Sequence, residues 1–193
     1  IEIDTKNIDE FIETVKNMSP TFGGINLEDI KAPEAFEIER RLVDELDIPV
    51  MHDDQHGTAI ISGAALINAL ELTNKKIGEI QMVICGAGAA AISCAKMYKS
   101  LGVKKKNILM FDSKGLININ RKDLSLEKKL FASKNVEIES LADAINGSDV
   151  FIGLSKADMM SKEMLVSMSK NPIVFAMANP DPEINYKVAV RTR

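Results

Sequence analysis

The scarce ingredients of this 193-residue chain each close off a class of protein. Only two cysteines occur, Cys85 and Cys94, both within apolar segments and at no metal-binding or redox spacing. That excludes a disulfide framework and favours a reducing, cytoplasmic setting. No apolar run approaches the roughly 18 residues that span a bilayer. The longest candidate, 59–72, is interrupted by Ser62, Gly63 and Asn68. Cationic excess is missing too: 24 Lys and Arg stand against 28 Asp and Glu, a net charge of −4, which excludes a nucleic-acid surface built on basic residues. Repeats, heptads, low-complexity tracts and a signal or transit peptide are not visible. Methionine occurs ten times but not at position 1. There Ile1-Glu2-Ile3-Asp4 reads as a strand, and Lys187-Val188-Ala189-Val190-Arg191 reads as another at the far end. Domain ends usually fray into polar residues, so the expectation is a piece of a longer protein.

What is present is a soluble, globular balance, 46% hydrophobic and 27% charged. An acidic helix is expected over 9–17, then the turn-rich Ser19-Pro20-Thr21-Phe22-Gly23-Gly24. A helix is expected from Pro33 to Leu46, a short run over 48–51, and a polar cluster His52-Asp53-Asp54-Gln55-His56-Gly57-Thr58 leading into a helix over 58–72. From Lys75 the pattern alternates. Strands are expected at 80–85, 107–111, 136–138, 149–153 and 173–177, with helices at 89–101, 124–133, 140–146 and 161–169 between them. Short β-branched runs alternating with amphipathic helices predict an α/β fold, a doubly wound parallel sheet with helices on both faces. The stretch 1–46 has little apolar content and is expected to pack on other segments or another subunit.

Gly86-Ala87-Gly88-Ala89-Ala90-Ala91 fits G-x-G-x-x-G/A, and it follows an apolar strand and opens a helix, the context the pattern requires. Gly86 permits the tight turn, Gly88 lets a pyrophosphate approach the free N–H groups of the helix start, and Ala91 keeps helix and sheet close. Asp112 ends the next strand, near the ~20-residue spacing of a carboxylate that bonds the adenosine ribose. Asp112 would repel a 2′-phosphate and so favours NAD. Ser113 and Lys114 place a hydroxyl and a cation beside it that suit NADP. Both cofactors stay open.

Two carboxylate clusters precede this unit: Glu28-Asp29, and Asp53-Asp54 after His52. Hard cations such as Mg²⁺ and Mn²⁺ take several oxygen ligands with net negative charge, and Glu28, Asp29 and one of the second pair would supply them. Alternatively, Glu28 and Asp29 serve only the dipole of the following helix. His52 and His56 stand four apart, but Gly57 beside them and the strand-like residues before them argue against a zinc site.

In these stretches the chain resembles the malic enzymes, particularly their bacterial-type branch. The likeness is carried by Phe22–Pro33, His52–Ala59, Gly86–Ala91, Asp112–Gly115, Asp149–Ser155 and Ala178–Glu183, in order along nearly the whole chain and fading after Ile184. The resemblance implies a Rossmann-type NAD(P)-binding domain over 75–193, incomplete at its C-terminus. Before it, over 1–74, it implies the C-terminal part of an α/β substrate and metal domain. It implies oxidative decarboxylation of L-malate to pyruvate and CO₂ with NAD or NADP and Mg²⁺ or Mn²⁺, in a homo-oligomer such as a dimer, with neither nucleic acid nor membrane as partner. Metal ligands would be Glu28, Asp29 and Asp54. Asp53 would lie beside the catalytic centre and Asn179 near substrate and nicotinamide, while Gly153 and Ser155 would line the cofactor cleft.

The family's general-base lysine and general-acid tyrosine come from a segment with no counterpart here. Tyr98 and Tyr186, the two tyrosines present, match neither. Little or no turnover is therefore expected of this chain alone. Two other classes compete: a nucleotide-binding module without catalysis, and another two-part dehydrogenase such as an amino-acid dehydrogenase, which needs no divalent metal.

Overall fold

The structure, a computed structural model, describes residues 1–31 and 34–193. The helix start expected at Pro33 lies outside the described residues. Two compact units emerge, Ile1–Thr58 and Ala59–Arg193.

In the first unit, α1 (Ile8–Met18) begins at Asn7, whose side chain accepts from the Asp9 and Glu10 amides. Strand β1 (Ile25–Leu27), helix α2 (Glu34–Glu45) and strand β2 (Val50–His52) follow. β1 and β2 pair in parallel, with Leu27 opposite His52. Ile12, Val15, Leu27, Ile38 and Leu42 form a core beneath them. The stretch expected to lack a core therefore has a small one, because Ile12 and Val15 on α1 meet Ile38 and Leu42 on α2 although few apolar residues are available. Ile1–Asp4 forms no strand.

Helix α3 (Asp53–Thr73) starts five residues ahead of the expected Thr58, so the polar cluster is its first turn rather than a loop. The division between the two compact units falls within α3. Ala59, Leu66 and Leu70 belong to the core of the second unit.

That unit runs β3 (Met82–Cys85), α4 (Ala89–Leu101), β4 (Ile108–Asp112), β5 (Gly115–Leu116), α5 (Leu126–Lys129), α6 (Leu141–Ile145), β6 (Val150–Gly153), α7 (Lys162–Ser167), β7 (Ile173–Ala176) and α8 (Tyr186–Thr192). The sheet order is β5-β4-β3-β6-β7, parallel except for the short β5. Successive strand residues face opposite sides. Met82 and Ile84 join Met110, Ile152 and the α4 residues Ala91, Ala95 and Tyr98 on one face. Val83 and Cys85 join Phe111, Phe151, Ile145 and Leu165 on the other. Both faces are covered, which is why these strands read as unbroken apolar runs. Each fully buried Ile, Phe or Met contributes about 1.5–3 kcal/mol.

Three local expectations fail. Residues 136–138 form no strand; the Asn135 side chain instead accepts from the Glu137 amide, a local turn that competes with sheet pairing. The helix expected over 124–133 shrinks to α5, with Leu126 exposed. The tail 187–191 is helix α8, not a strand: Asn185 caps it, and Val188 and Ala189 pack on the second core. Among the described residues no helix is long and apolar enough to cross a membrane.

Candidate functional site

Gly86 sits at φ +127, and a Cβ there would strike the Leu154 carbonyl, so the turn leaving β3 tolerates no side chain. Its amide donates to the Phe111 carbonyl at 2.9 Å, which ties the turn to the end of β4. Gly88 is the N-cap of α4 and offers no side-chain cap. A Cβ on Gly88 would meet nothing within 4 Å. An open helix start with uncapped N–H groups fits a pyrophosphate. Ala91, 1% exposed, lies in the sheet core as expected of a close helix–strand contact.

Asp112 takes its predicted place at the end of β4, but its carboxylate is already engaged. Oδ1 accepts from Arg121 Nη1 at 2.7 Å and from the Lys114 amide at 3.0 Å. Oδ2 accepts from Arg121 Nη2 at 3.0 Å and from Lys128 Nζ at 2.9 Å. Burial alone would raise its pKa; the bonds from Arg121 and Lys128 outweigh it and bring the carboxyl down to about 2. Lys114 Nζ reaches Asp123 at 2.8 Å, and Ser113 is exposed on the same turn. Arg121, Lys114 and Lys128 thus face two carboxylates, leaving a local surplus of one positive charge.

Beyond β6 and β7 the two loops interlock. The Leu154 amide donates to the Cys85 carbonyl at 2.8 Å, and the Met177 amide to the Gly153 carbonyl at 3.0 Å. Ser155 Oγ lies 3.2 Å from Cys85 Sγ. Burial pushes the Cys85 thiol up, making it a poor nucleophile. Asn179 is exposed, on a cis peptide with Pro180. Under both loops lies Glu183, which the sequence reading did not single out. It accepts from the Ser155 amide at 2.9 Å and the Ala178 amide at 3.1 Å.

In the first unit the Leu27–His52 register brings Glu28-Asp29 and Asp53-Asp54 to the same end of the β1–β2 pair. The Asp29 amide donates to Asp54 Oδ2 at 3.1 Å. Asp29 takes a left-handed φ of 57, which turns the chain at this point. Glu28 and Asp29 are exposed, and the Asp54 side chain is 53% exposed. Among the described residues no three His, Cys, Asp or Glu side chains close into a metal-holding group. Like-charged carboxylates repel, so the register aligns them without drawing them together. As a donor set, three carboxylates fit a hard divalent cation. Asp53 folds back over Gly57, where a Cβ would strike its carboxylate. The histidines engage different partners. His56 Nε2 lies 2.8 Å from Glu39 Oε1, while buried His52 has Nδ1 4.0 Å from Asp54 Oδ2.

Arg121, Lys128 and Glu39 carry no signal in the sequence; Glu183 carries one, as the last residue of the Ala178–Glu183 stretch.

Residues 55–189 match the family described as the malic enzyme NAD binding domain, and residues 2–43 match the malic enzyme N-terminal domain. The chain is 49% identical over 193 residues to the NADP-dependent malic enzyme of Halomonas elongata, covering 100% of this chain and 46% of that protein. It is 48% identical to the NAD-dependent malic enzyme of Rhizobium meliloti, covering 100% and 25%. The solved structure of the NAD-dependent malic enzyme from Thermotoga maritima superposes with a TM-score of 0.90 at 42% identity, covering 100% of this chain and 52% of that one. The chain spans less than half the length of these two curated relatives.

Proposed function

The chain belongs to the malic enzyme family, and on that premise we propose that it carries the cofactor and metal portions of a site for oxidative decarboxylation of L-malate to pyruvate and CO₂. The observation that carries the proposal is the Leu27–His52 register, which aligns Glu28, Asp29 and Asp54 in a chain that also holds the open glycine turn. A pure nucleotide module or an amino-acid dehydrogenase has no use for such an oxygen donor set.

Glu28, Asp29 and Asp54 would hold Mg²⁺ or Mn²⁺. Such a cation, when bound, polarises the C2 oxygen of the substrate and stabilises the negative charge left as CO₂ departs. NAD(P)⁺ supplies the two-electron acceptor for C2. The chain's own residues bind and orient. Gly86 and Gly88 admit the pyrophosphate to the α4 amides, Gly153 and Ser155 border the cleft, and Asn179 offers its amide at the β7 end. Asp53, anchored over Gly57, stands beside the carboxylate cluster.

Neither tyrosine suits a proton donor. Tyr98 is fully buried and donates to Ser62, and burial raises its pKa well above the usual range. Tyr186 is exposed at the start of α8. We therefore expect this chain to bind nucleotide and cation without turning malate over. The free, buried Cys85 and Cys94 suit a cytoplasmic setting. Exposed Ile61, Ile67 and Leu72 on α3 favour a homo-oligomer, because monomers seldom leave such residues bare together.

Calorimetric titration with NAD(P)⁺ and a malate-dependent reduction assay test the reading. Micromolar to millimolar binding with negligible turnover is the expected result. Failure to bind either nucleotide sinks the cofactor assignment, and an ordinary enzymatic rate sinks the expectation that no residue here serves as proton donor.

A second, narrower reading concerns the adenosine end. With both Asp112 oxygens occupied and a surplus cation beside them, the site favours the 2′-phosphate of NADP over a free ribose hydroxyl.

A further inference from the structure

Glu183 is a fully buried carboxylate. It is 0% exposed, yet no ion pair to it occurs among the described residues. Each oxygen accepts a backbone N–H, from Ser155 and from Ala178. Both hydrogen bonds run from a backbone N–H to a carboxylate oxygen, and such donors stabilise negative charge there. A Cβ on Gly153 would land on this carboxylate, so the glycine is what lets the charge come up against β6. The charge also adds to the burial that raises the Cys85 thiol at the end of β3. An unpaired buried charge is costly, and such costs concentrate at sites of chemistry.

Its position in the sheet says what the charge faces. Asp112 marks the adenosine end at β4, and the glycine turn at β3 takes the pyrophosphate. With the order β4-β3-β6-β7, the rest of a dinucleotide extends over the ends of β6 and β7. Those ends are the loops that Glu183 holds from below. The oxidised nicotinamide ring carries a positive charge and the reduced ring is neutral.

We propose that Glu183 is a fixed buried anion beneath the nicotinamide end, biasing the site toward the oxidised ring and positioning the Ser155 and Ala178 loops around it. This rests on the dinucleotide reading given above. A ring charge bound within about 10 Å of the carboxylate, at an effective dielectric of ~20, would shift affinity by roughly tenfold. The ratio of the two dissociation constants, NADPH over NADP⁺, registers that charge, whereas loosened loops weaken both forms alike.

Both constants are measured by calorimetry, with NADPH fluorescence as a check, on the 193-residue chain and on Glu183→Gln and Glu183→Met. Glutamine keeps the shape but turns one donor toward an N–H. Methionine avoids that conflict and suits a buried apolar site, so the two variants face different folding hazards. In either folded variant the ratio should fall about tenfold. A ratio unchanged within about twofold, with both affinities moving together, overturns the proposal and leaves Glu183 a loop clamp. If the unsubstituted chain binds neither form, it is the dinucleotide reading that fails.

Discussion

Asp112 and Arg121 meet as a two-pronged ion pair, Nη1 2.7 Å from Oδ1 and Nη2 3.0 Å from Oδ2, and Lys128 closes on Oδ2 from another side. Planar guanidinium matched to planar carboxylate is the strongest of the common ion-pair geometries. It turns the acid at the end of β4 from a free acceptor into part of a cationic surface.

The pair makes stability depend on acid. The Asp112 carboxyl lies at about 2 against an ordinary 3.8, so it contributes above pH ~4 and its contribution is lost as pH falls from there toward 2. The shift corresponds to about 2 kcal/mol at neutral pH. Urea midpoints of the chain and of Asp112→Asn should differ by that much at pH 7 and converge on acidification. A gap that does not change with pH would show that the ion pair adds nothing to folding.

Lys128 lends charge to the same corner. Lys128→Ala should weaken NADP⁺ about tenfold and NAD⁺ by no more than about twofold. Parallel titrations with the two nucleotides decide it, and equal losses would remove the 2′-phosphate from this surface.

The two glycines of the turn should respond differently. Gly86→Ala places a Cβ at φ +127 against Leu154 and should cost about 2 kcal/mol or more of folding stability. Gly88→Val projects into open space, so stability should stay within about 0.5 kcal/mol while dinucleotide affinity falls more than about tenfold. Thermal melts beside binding titrations separate them. Normal binding by Gly88→Val would mean that no phosphate passes there.

Manganese offers a direct probe of the carboxylates, because its electron paramagnetic resonance signal changes on binding. Asp54→Asn should lower Mn²⁺ affinity at least about tenfold with little change in melting, since the Asp54 side chain is largely exposed. Undiminished Mn²⁺ uptake would leave the cluster as acids at an element boundary and nothing more.

How much could be read from the chain depended on how local each signal was. β3, the glycine turn and α4 were legible because a strand buried on both faces is apolar throughout and the turn follows it directly. The position of Asp112 was legible as well. Its occupation was not, because Arg121 and Lys128 lie 9 and 16 residues further on and only the folded packing brings them back to it. Glu183 stood in plain view inside a recognised run, but a glutamate is assigned to the surface by default, and only packing reveals one at 0% exposure. Tail residues 187–191 alternate over too few positions to separate strand from helix. The Asn185 cap and the packing of Val188 decided for helix.

The bond from the Gly86 amide to the Phe111 carbonyl makes the pyrophosphate turn and the end of β4 one mechanical piece. Moving either backbone would break the sheet at its centre, so a family built on this frame has little freedom to retune nucleotide choice by reshaping the chain. On the reading proposed above, a change between NAD and NADP would fall to the side chains around Asp112, namely Ser113, Lys114, Arg121 and Lys128, and would leave the backbone frame untouched.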